Sequence, residues 1–285
     1  MPNDDILNAA AQLLEAAGDM DAQADARWML CACMDCKPSH LRWRRPDAEQ
    51  LKRFDGMVTR RAGGEPLQYV LGDQPFCGRS FITDSRALIP RPETEELCMR
   101  ALDMIKWVRA PRVLDIGTGT GALAITIALE RPDSQVTAVD ISHDALSLAR
   151  ENAQALGTEV EMLEGDLYAP VMGRRFDLII SNPPYLTARD MDMLQPEVRR
   201  EPALALFGGE DGLDFYRRIA EGMPCMVNRG GSCALEVGMG QAEAVRDMLK
   251  DAFDKVEIFK DINGVERMVC ASGAKADISL SKNSF

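Results

Sequence analysis

The first seventy residues carry apolar positions at steps of three and four: Ile6, Ala10, Leu13, Leu14 and Ala17, then Ala26, Met29, Leu30 and Cys33. That period predicts amphipathic helices, and Gly18 and Pro38 cut the run into several short ones. From about residue 73 the pattern changes. Gln74-Pro75-Phe76, Gly78–Ile82 and Ala87–Pro90 read as short extended segments, a hairpin linking two domains. Beyond Arg91 a helix is expected over Glu95 to about Val108. Apolar strands then alternate with amphipathic helices. Strands are expected at Arg112–Ile116, Gln135–Asp140, Val160–Glu164, Phe176–Ser181, Gly231–Val237, Lys255–Lys260 and Glu266–Ala271. Helices are expected at Gly121–Arg131, Ser142–Leu156, Leu213–Met223 and Gln241–Ala252. Such alternation predicts an α/β fold, a Rossmann-like, doubly wound and mostly parallel sheet with helices on both faces. The predicted organisation is a helical domain over 1–72, a hairpin linker over 73–90, the α/β domain over 91–271 and a flexible tail over 272–285.

Composition narrows the class. With 285 residues, one large and one small domain are expected. No stretch approaches the roughly 18 uncharged apolar residues of a membrane helix, and the acidic start Met1-Pro2-Asn3-Asp4-Asp5 is unlike a secretory leader. The 8 cysteines are scattered, as in a cytoplasmic protein with reduced thiols. Cys31, Cys33, Cys36 and His40 superficially resemble a zinc set, but helical spacing turns Cys31 and Cys33 to different faces, so no metal is expected. The net charge of −12 disfavours generic binding to nucleic acid. Against that background, Arg42, Arg44, Arg45, Lys52, Arg53, Arg60 and Arg61 form a basic stretch, read either as a solvated helical face or as a partner surface.

The chemistry concentrates at strand ends. Val113–Ile116 runs into Gly117-Thr118-Gly119-Thr120-Gly121, a glycine-rich turn opening a helix, where the backbone can approach a ligand closely. The turn also fits the dinucleotide fingerprint of dehydrogenases. Asp115 favours S-adenosylmethionine, since a carboxylate there suits the methionyl ammonium and repels a pyrophosphate. Asp140, about 20 residues on, is placed to take two ribose hydroxyls, as it would also for NAD. Asp166 and Tyr168 are expected beside the adenine. After Phe176–Ile180 comes Ser181-Asn182-Pro183-Pro184-Tyr185. Prolines withhold N–H groups and leave carbonyl acceptors, and Asn182 adds a side-chain carbonyl. These acceptors suit a planar NH₂, against which Tyr185 could lay its ring. An amide or an exocyclic amine would fit equally, and a weakly nucleophilic nitrogen chiefly needs orientation.

Taken with Leu88–Glu95, Glu201-Pro202, Gly208–Leu213 and Glu236-Val237-Gly238 before Gln241, the chain resembles the bacterial release-factor glutamine methyltransferase family over nearly its full length. The resemblance implies a class I methyltransferase that moves a methyl group from S-adenosylmethionine, leaving S-adenosylhomocysteine, to the glutamine of the Gly-Gly-Gln motif in class 1 peptide chain release factors. It implies cofactor contacts at Gly117 to Gly121, Asp140, Tyr168 and Asn182, and a grip on the glutamine amide by Asn182 to Tyr185, with the helical domain helping to hold the release factor. Tyr168 departs from the resemblance, which implies a Trp or Phe at that position. A monomer acting on a protein, without direct nucleic acid or membrane contact, is expected. Rival readings are a glutamine methyltransferase of a ribosomal protein, an adenine-amino DNA methyltransferase, and a noncatalytic cofactor-binding module.

Overall fold

The computed structural model describes residues 3–275. Its described residues divide into two units, one of residues 3–73 with 195–200 and one of 74–194 with 201–275.

The first unit contains α1 (Asn3–Ala16), α2 (Ala22–Cys33), a 3₁₀ turn at Pro38–Trp43, α3 (Ala48–Ala62) and α4 (Leu67–Leu71). Its core is Leu7, Ala10, Ala11 and Leu14 of α1 against Met29 and Leu30 of α2 and Phe54 and Val58 of α3. Leu13, in register on the sequence pattern, is 63% exposed. Asp47 and Gln50 form a reciprocal capping box that starts α3. The segment 195–200 is held by charge. Arg61, only 8% exposed, meets Asp25 at 2.7 Å, Asp19 at 3.1 Å and Glu197 at 3.0 Å. Arg200 Nη2 donates to the Gly63 carbonyl at 2.9 Å. The basic stretch seen in the sequence is thereby reduced. Arg61 is neutralised in the interior, and Arg60 is paired with Glu65.

The second unit opens with a two-stranded hairpin, β1 (Asp73–Phe76) and β2 (Arg79–Ile82), followed by α5 (Pro92–Met104). Ala87–Pro90, expected to be extended, belongs to no strand. Pro92 sits in the first turn of α5, where a missing N–H costs nothing, so this helix begins three residues earlier than its apolar period indicates. There follow β3 (Arg112–Ile116), α6 (Ala122–Glu130), β4 (Gln135–Asp140), α7 (His143–Leu156), β5 (Glu161–Glu164), β6 (Phe176–Ser181), α8 (Ala188–Asp192), α9 (Asp214–Met226), β7 (Val227–Glu236), α10 (Ala242–Leu249), β8 (Phe253–Lys260) and β9 (Glu266–Ala274). β9 runs through Ala274, so the first residues of the expected tail are strand, and 276–285 lie outside the described residues.

Seven strands form one sheet in the order β5-β4-β3-β6-β7-β9-β8, with β5 to β7 parallel and β9 antiparallel to both neighbours. Strand alternation divides the core between two faces. Leu114 and Ile179 pack with Tyr216, Ile219 and Met223 of α9 and Val245 and Leu249 of α10. Val113, Leu178 and Ile180 pack with Leu97 of α5, Ile125 and Ile127 of α6, and Phe76 and Phe81 of the hairpin. Chain direction across the sheet reverses between β3 and β6, which opens a crevice at their carboxyl ends. Asn152 of α7, fully buried, locks the hairpin onto that region. Its amide oxygen accepts from Ile82 N at 2.6 Å, while its Nδ2 donates to Ile82 O at 3.1 Å and Thr120 O at 3.0 Å.

Candidate active site

A cleft opens over the carboxyl ends of β3, β4 and β6. The glycine turn forms its floor. Gly117 and Gly119 have φ of 70° and 56°, and a Cβ on either would meet nothing closer than 3.9 Å, so both present bare backbone to the cleft. Gly117 N and Thr118 N are tied to the Val139 carbonyl at 2.8 and 3.1 Å. Gly121 does not line the cleft. Its φ is 81°, and a Cβ there would come within 2.7 Å of Ile125 Cδ1 and 3.2 Å of Ala149 Cβ. This glycine permits close packing of α6 on α7, which corrects the expectation of a ligand contact.

Asp140 lines the cleft as expected. One oxygen accepts from Gly119 N and the other from Ser142 N, both at 2.9 Å. Burial raises its pKa, although those backbone donors oppose the shift. Asp115 lies elsewhere. It is fully buried beneath the turn, accepts from Thr118 Oγ1 at 2.6 Å, and does not line the cleft. Burial pushes its carboxyl up to about 7. Direct pairing with a ligand ammonium, expected from the sequence, is therefore replaced by support of Thr118.

Tyr168 requires a similar correction. Its ring is buried against Gly222 of α9, where a Cβ would fall 2.4 Å from Cε2, and its hydroxyl donates to the Ile219 carbonyl at 2.9 Å. The residue before it adopts φ 49°, which turns Leu167 into the cleft and Tyr168 into the core. The wall on this side is made by Leu167 with Ile141 and Phe215, beside an Asp166–Arg218 ion pair at 2.5 Å. Leu167, Phe215 and Arg218 were missed in the sequence because no motif marks them.

The other wall is Asn182-Pro183-Pro184. Asn182 Nδ2 donates to Thr94 Oγ1 at 3.1 Å, and its Oδ1 is shielded from solvent without a partner. An unpaired buried acceptor costs on the order of 1–3 kcal/mol, so this atom is poised for a donor. The backbone beyond is tightly supported. Gln241 Nε2 donates to the Tyr185 carbonyl at 2.9 Å and Gln241 Oε1 accepts from Gly238 N at 2.9 Å. A Cβ on Gly208 would come within 2.7 Å of Pro184 O, and one on Gly212 within 2.3 Å of Tyr185 O. Tyr185 itself is not a cleft residue. Its ring fills the space left by Gly238 and packs on the core, so it supports the wall from behind where stacking on a bound amide had been expected. Glu201 is buried, accepts from Ile89 N at 3.0 Å and pairs with Arg91, which lines the cleft with Leu88 and Pro90.

Comparison with known proteins agrees with this geometry. Residues 94–199 match the methyltransferase small domain family, and residues 5–72 match the PrmC N-terminal domain. A solved methyltransferase from Pyrococcus furiosus shares the fold, with 18% identity and a TM-score of 0.53 over 80% of this chain and 100% of that one. A T. thermophilus 16S rRNA N2 G1207 methyltransferase, solved with AdoMet and guanosine, is 18% identical with a TM-score of 0.51 over 70% of this chain and 49% of that one. Fold and cleft thus define a class I methyltransferase. Among curated relatives, the release factor glutamine methyltransferase of Geobacter sulfurreducens is 42% identical over 93% of this chain and 94% of its own length. That of Deinococcus radiodurans is 41% identical over 95% and 98%. The chain belongs to the release factor glutamine methyltransferase family.

Proposed function

We propose that the protein transfers the methyl group of S-adenosylmethionine to the side-chain amide nitrogen of the glutamine in the Gly-Gly-Gln motif of class 1 peptide chain release factors. The observation that carries this reading is the unpartnered Oδ1 of Asn182 at the rim of a glycine-floored cleft. The residues suit the cofactor. Gly117 and Gly119 leave room for close approach of a ligand to the backbone, Asp140 offers its carboxylate to a ribose diol, and Leu167, Ile141 and Phe215 offer an apolar slot to a purine. When bound, S-adenosylmethionine supplies an electrophilic methyl on a sulfonium.

Asn182 Oδ1 accepts one hydrogen of the glutamine amide, and carbonyl oxygens of the proline-rich wall are available for the other. This orients the nitrogen lone pair and stabilises positive charge as it develops there. The nitrogen becomes strongly acidic on gaining its fourth bond and releases a proton to water, so no side-chain base is needed. His143, one of two histidines, lies on the surface with its Nδ1 2.9 Å from Glu164 Oε2. The chain acts on this reading as a cytoplasmic monomer on a protein substrate. Eight free cysteines and a charge of −12 support that setting. No helix among the described residues is long and apolar enough to cross a membrane.

The test is methyl transfer from labelled S-adenosylmethionine to purified release factor, beside a factor whose Gly-Gly-Gln glutamine is alanine. Labelling of the intact factor alone is expected. Labelling of neither would overturn the reading and direct the same assay to ribosomal protein and then DNA.

A further inference from the structure

Three polar groups from three elements form a chain running from the cleft into the core. Asn182, just after β6, donates through Nδ2 to Thr94 Oγ1 at 3.1 Å. Thr94, in the first turn of α5, donates its hydroxyl to Glu236 Oε2 at 2.6 Å. Glu236 closes β7 and is 1% exposed. Burying a carboxylate is costly, and an apolar side chain would fill this space without that cost, so its presence calls for a reason beyond packing.

The chain has a direction. A carboxylate only accepts, which commits the single Thr94 proton to Glu236. Thr94 Oγ1 can then only accept, so it must face the NH₂ of Asn182 and not its C=O. We propose that Thr94 and Glu236 are positioning residues that fix the Asn182 carboxamide with its oxygen, never its NH₂, turned to the substrate amide. The inference rests on the role of Asn182 proposed above. Rotated by half a turn, the carboxamide would set N–H against N–H, and the acceptor that orients the nitrogen would be lost.

Protonation of Glu236 removes the direction, because a neutral acid can donate to Thr94 and free the hydroxyl proton for Asn182 Oδ1. Burial pushes Glu236 up to about 7; the Thr94 hydrogen bond, Arg267 on β9 and Arg91 lower it, and Glu93 raises it. Tyr185 and Tyr216 also face it, the latter donating to the Glu236 carbonyl at 2.8 Å. Turnover is therefore expected to fall as pH drops through neutrality.

The experiment compares Thr94→Val, Thr94→Ser and Glu236→Gln in the full chain, with S-adenosylmethionine and release factor. Thr94→Val should lower kcat by about 10- to 100-fold with cofactor affinity and KM for release factor within about 2-fold, and Thr94→Ser should recover to within about 3-fold of the parent. Glu236→Gln should be slow and lack the acid limb. A Thr94→Val enzyme with parental kcat, or a folded Thr94→Ser no better than Thr94→Val, overturns the proposal. Should the parent fail to methylate release factor, the functional reading falls, and the orientation is read without substrate from the Asn182 side-chain ¹H–¹⁵N signals. A shift in Thr94→Val that Thr94→Ser reverses supports it; signals unmoved by Thr94→Val refute it.

Discussion

Asp140 shows how a single carboxylate can be both scaffold and ligand. Backbone donors at Gly119 and Ser142 hold it at the cleft, and on the proposed function it also receives the ribose diol. Asp140→Ala is expected to weaken S-adenosylmethionine binding by about 10- to 100-fold, the value of a charge-assisted hydrogen bond or two; titration calorimetry would check it. Tyr168→Phe should leave that affinity unchanged and cost about 1 kcal/mol of stability through loss of the buried hydrogen bond from its hydroxyl to the Ile219 carbonyl. Denaturant unfolding beside cofactor titration separates the two effects. A one-residue error at Tyr168 was unavoidable from pattern alone, since it depends on a left-handed Leu167 that no residue type announces. Asp115 misled for a related reason: the spelling of a strand end does not say on which side of the turn its side chain lies. The pH dependence of stability follows from buried acids. Asp115 and Glu236, lifted to about 7 from 3.8 and 4.5, keep protons when folded that the unfolded chain has lost. Their contribution is complete below the unfolded values and is lost as pH rises through about 7. The thermal midpoint should therefore be higher at about pH 6 than at about pH 8, with Asp115→Asn flattening the difference; a midpoint that climbs over this interval would contradict it.

Among the elements, strands were the most legible. β3, β4 and β6 begin and end where the apolar runs do, because strands buried on both faces read as continuous hydrophobic segments. Helix ends were less so. α9 runs to Met226 with Pro224 inside its last turn, a residue that reads as a stop in sequence. The connections between elements were invisible, above all Asn152. Its three hydrogen bonds join β2 to the glycine turn from the middle of α7, and nothing in the sequence distinguishes it from a solvated helical asparagine. Asn152→Ala should destabilise the protein by about 3 kcal/mol or more, since it strands buried backbone groups at Ile82 and Thr120. Chemical denaturation would show it, and hydrogen exchange should place the loosening at the hairpin. The signatures Gly208–Gly212 and Gly238–Gln241 find their explanation at this scale too, as the packing that holds Pro184 and Tyr185 rigid.

At the scale of the whole molecule, the sequence conveyed two kinds of domain but not how the chain is apportioned between them. Residues 195–200 carry no helical period, and what assigns them to the first unit is the charge of Arg61, which pattern had placed on a surface. Removing one member of a buried ionic cluster leaves its partners uncompensated, so Arg61→Ala should cost about 3–5 kcal/mol. Its mark in hydrogen exchange should be lost protection across 3–73 and 195–200 with the sheet strands unchanged. The chain also passes between the units three times, after residues 73, 194 and 200. Deleting the first 73 residues would thus not be a clean excision. It would strip Glu197 and Arg200 of the groups they bind, within a stretch that directly precedes Glu201, whose carboxylate pins Ile89 between the cleft residues Leu88 and Pro90. A truncated enzyme that lost activity would be reporting a slackened active-site rim as much as a missing grip on its substrate.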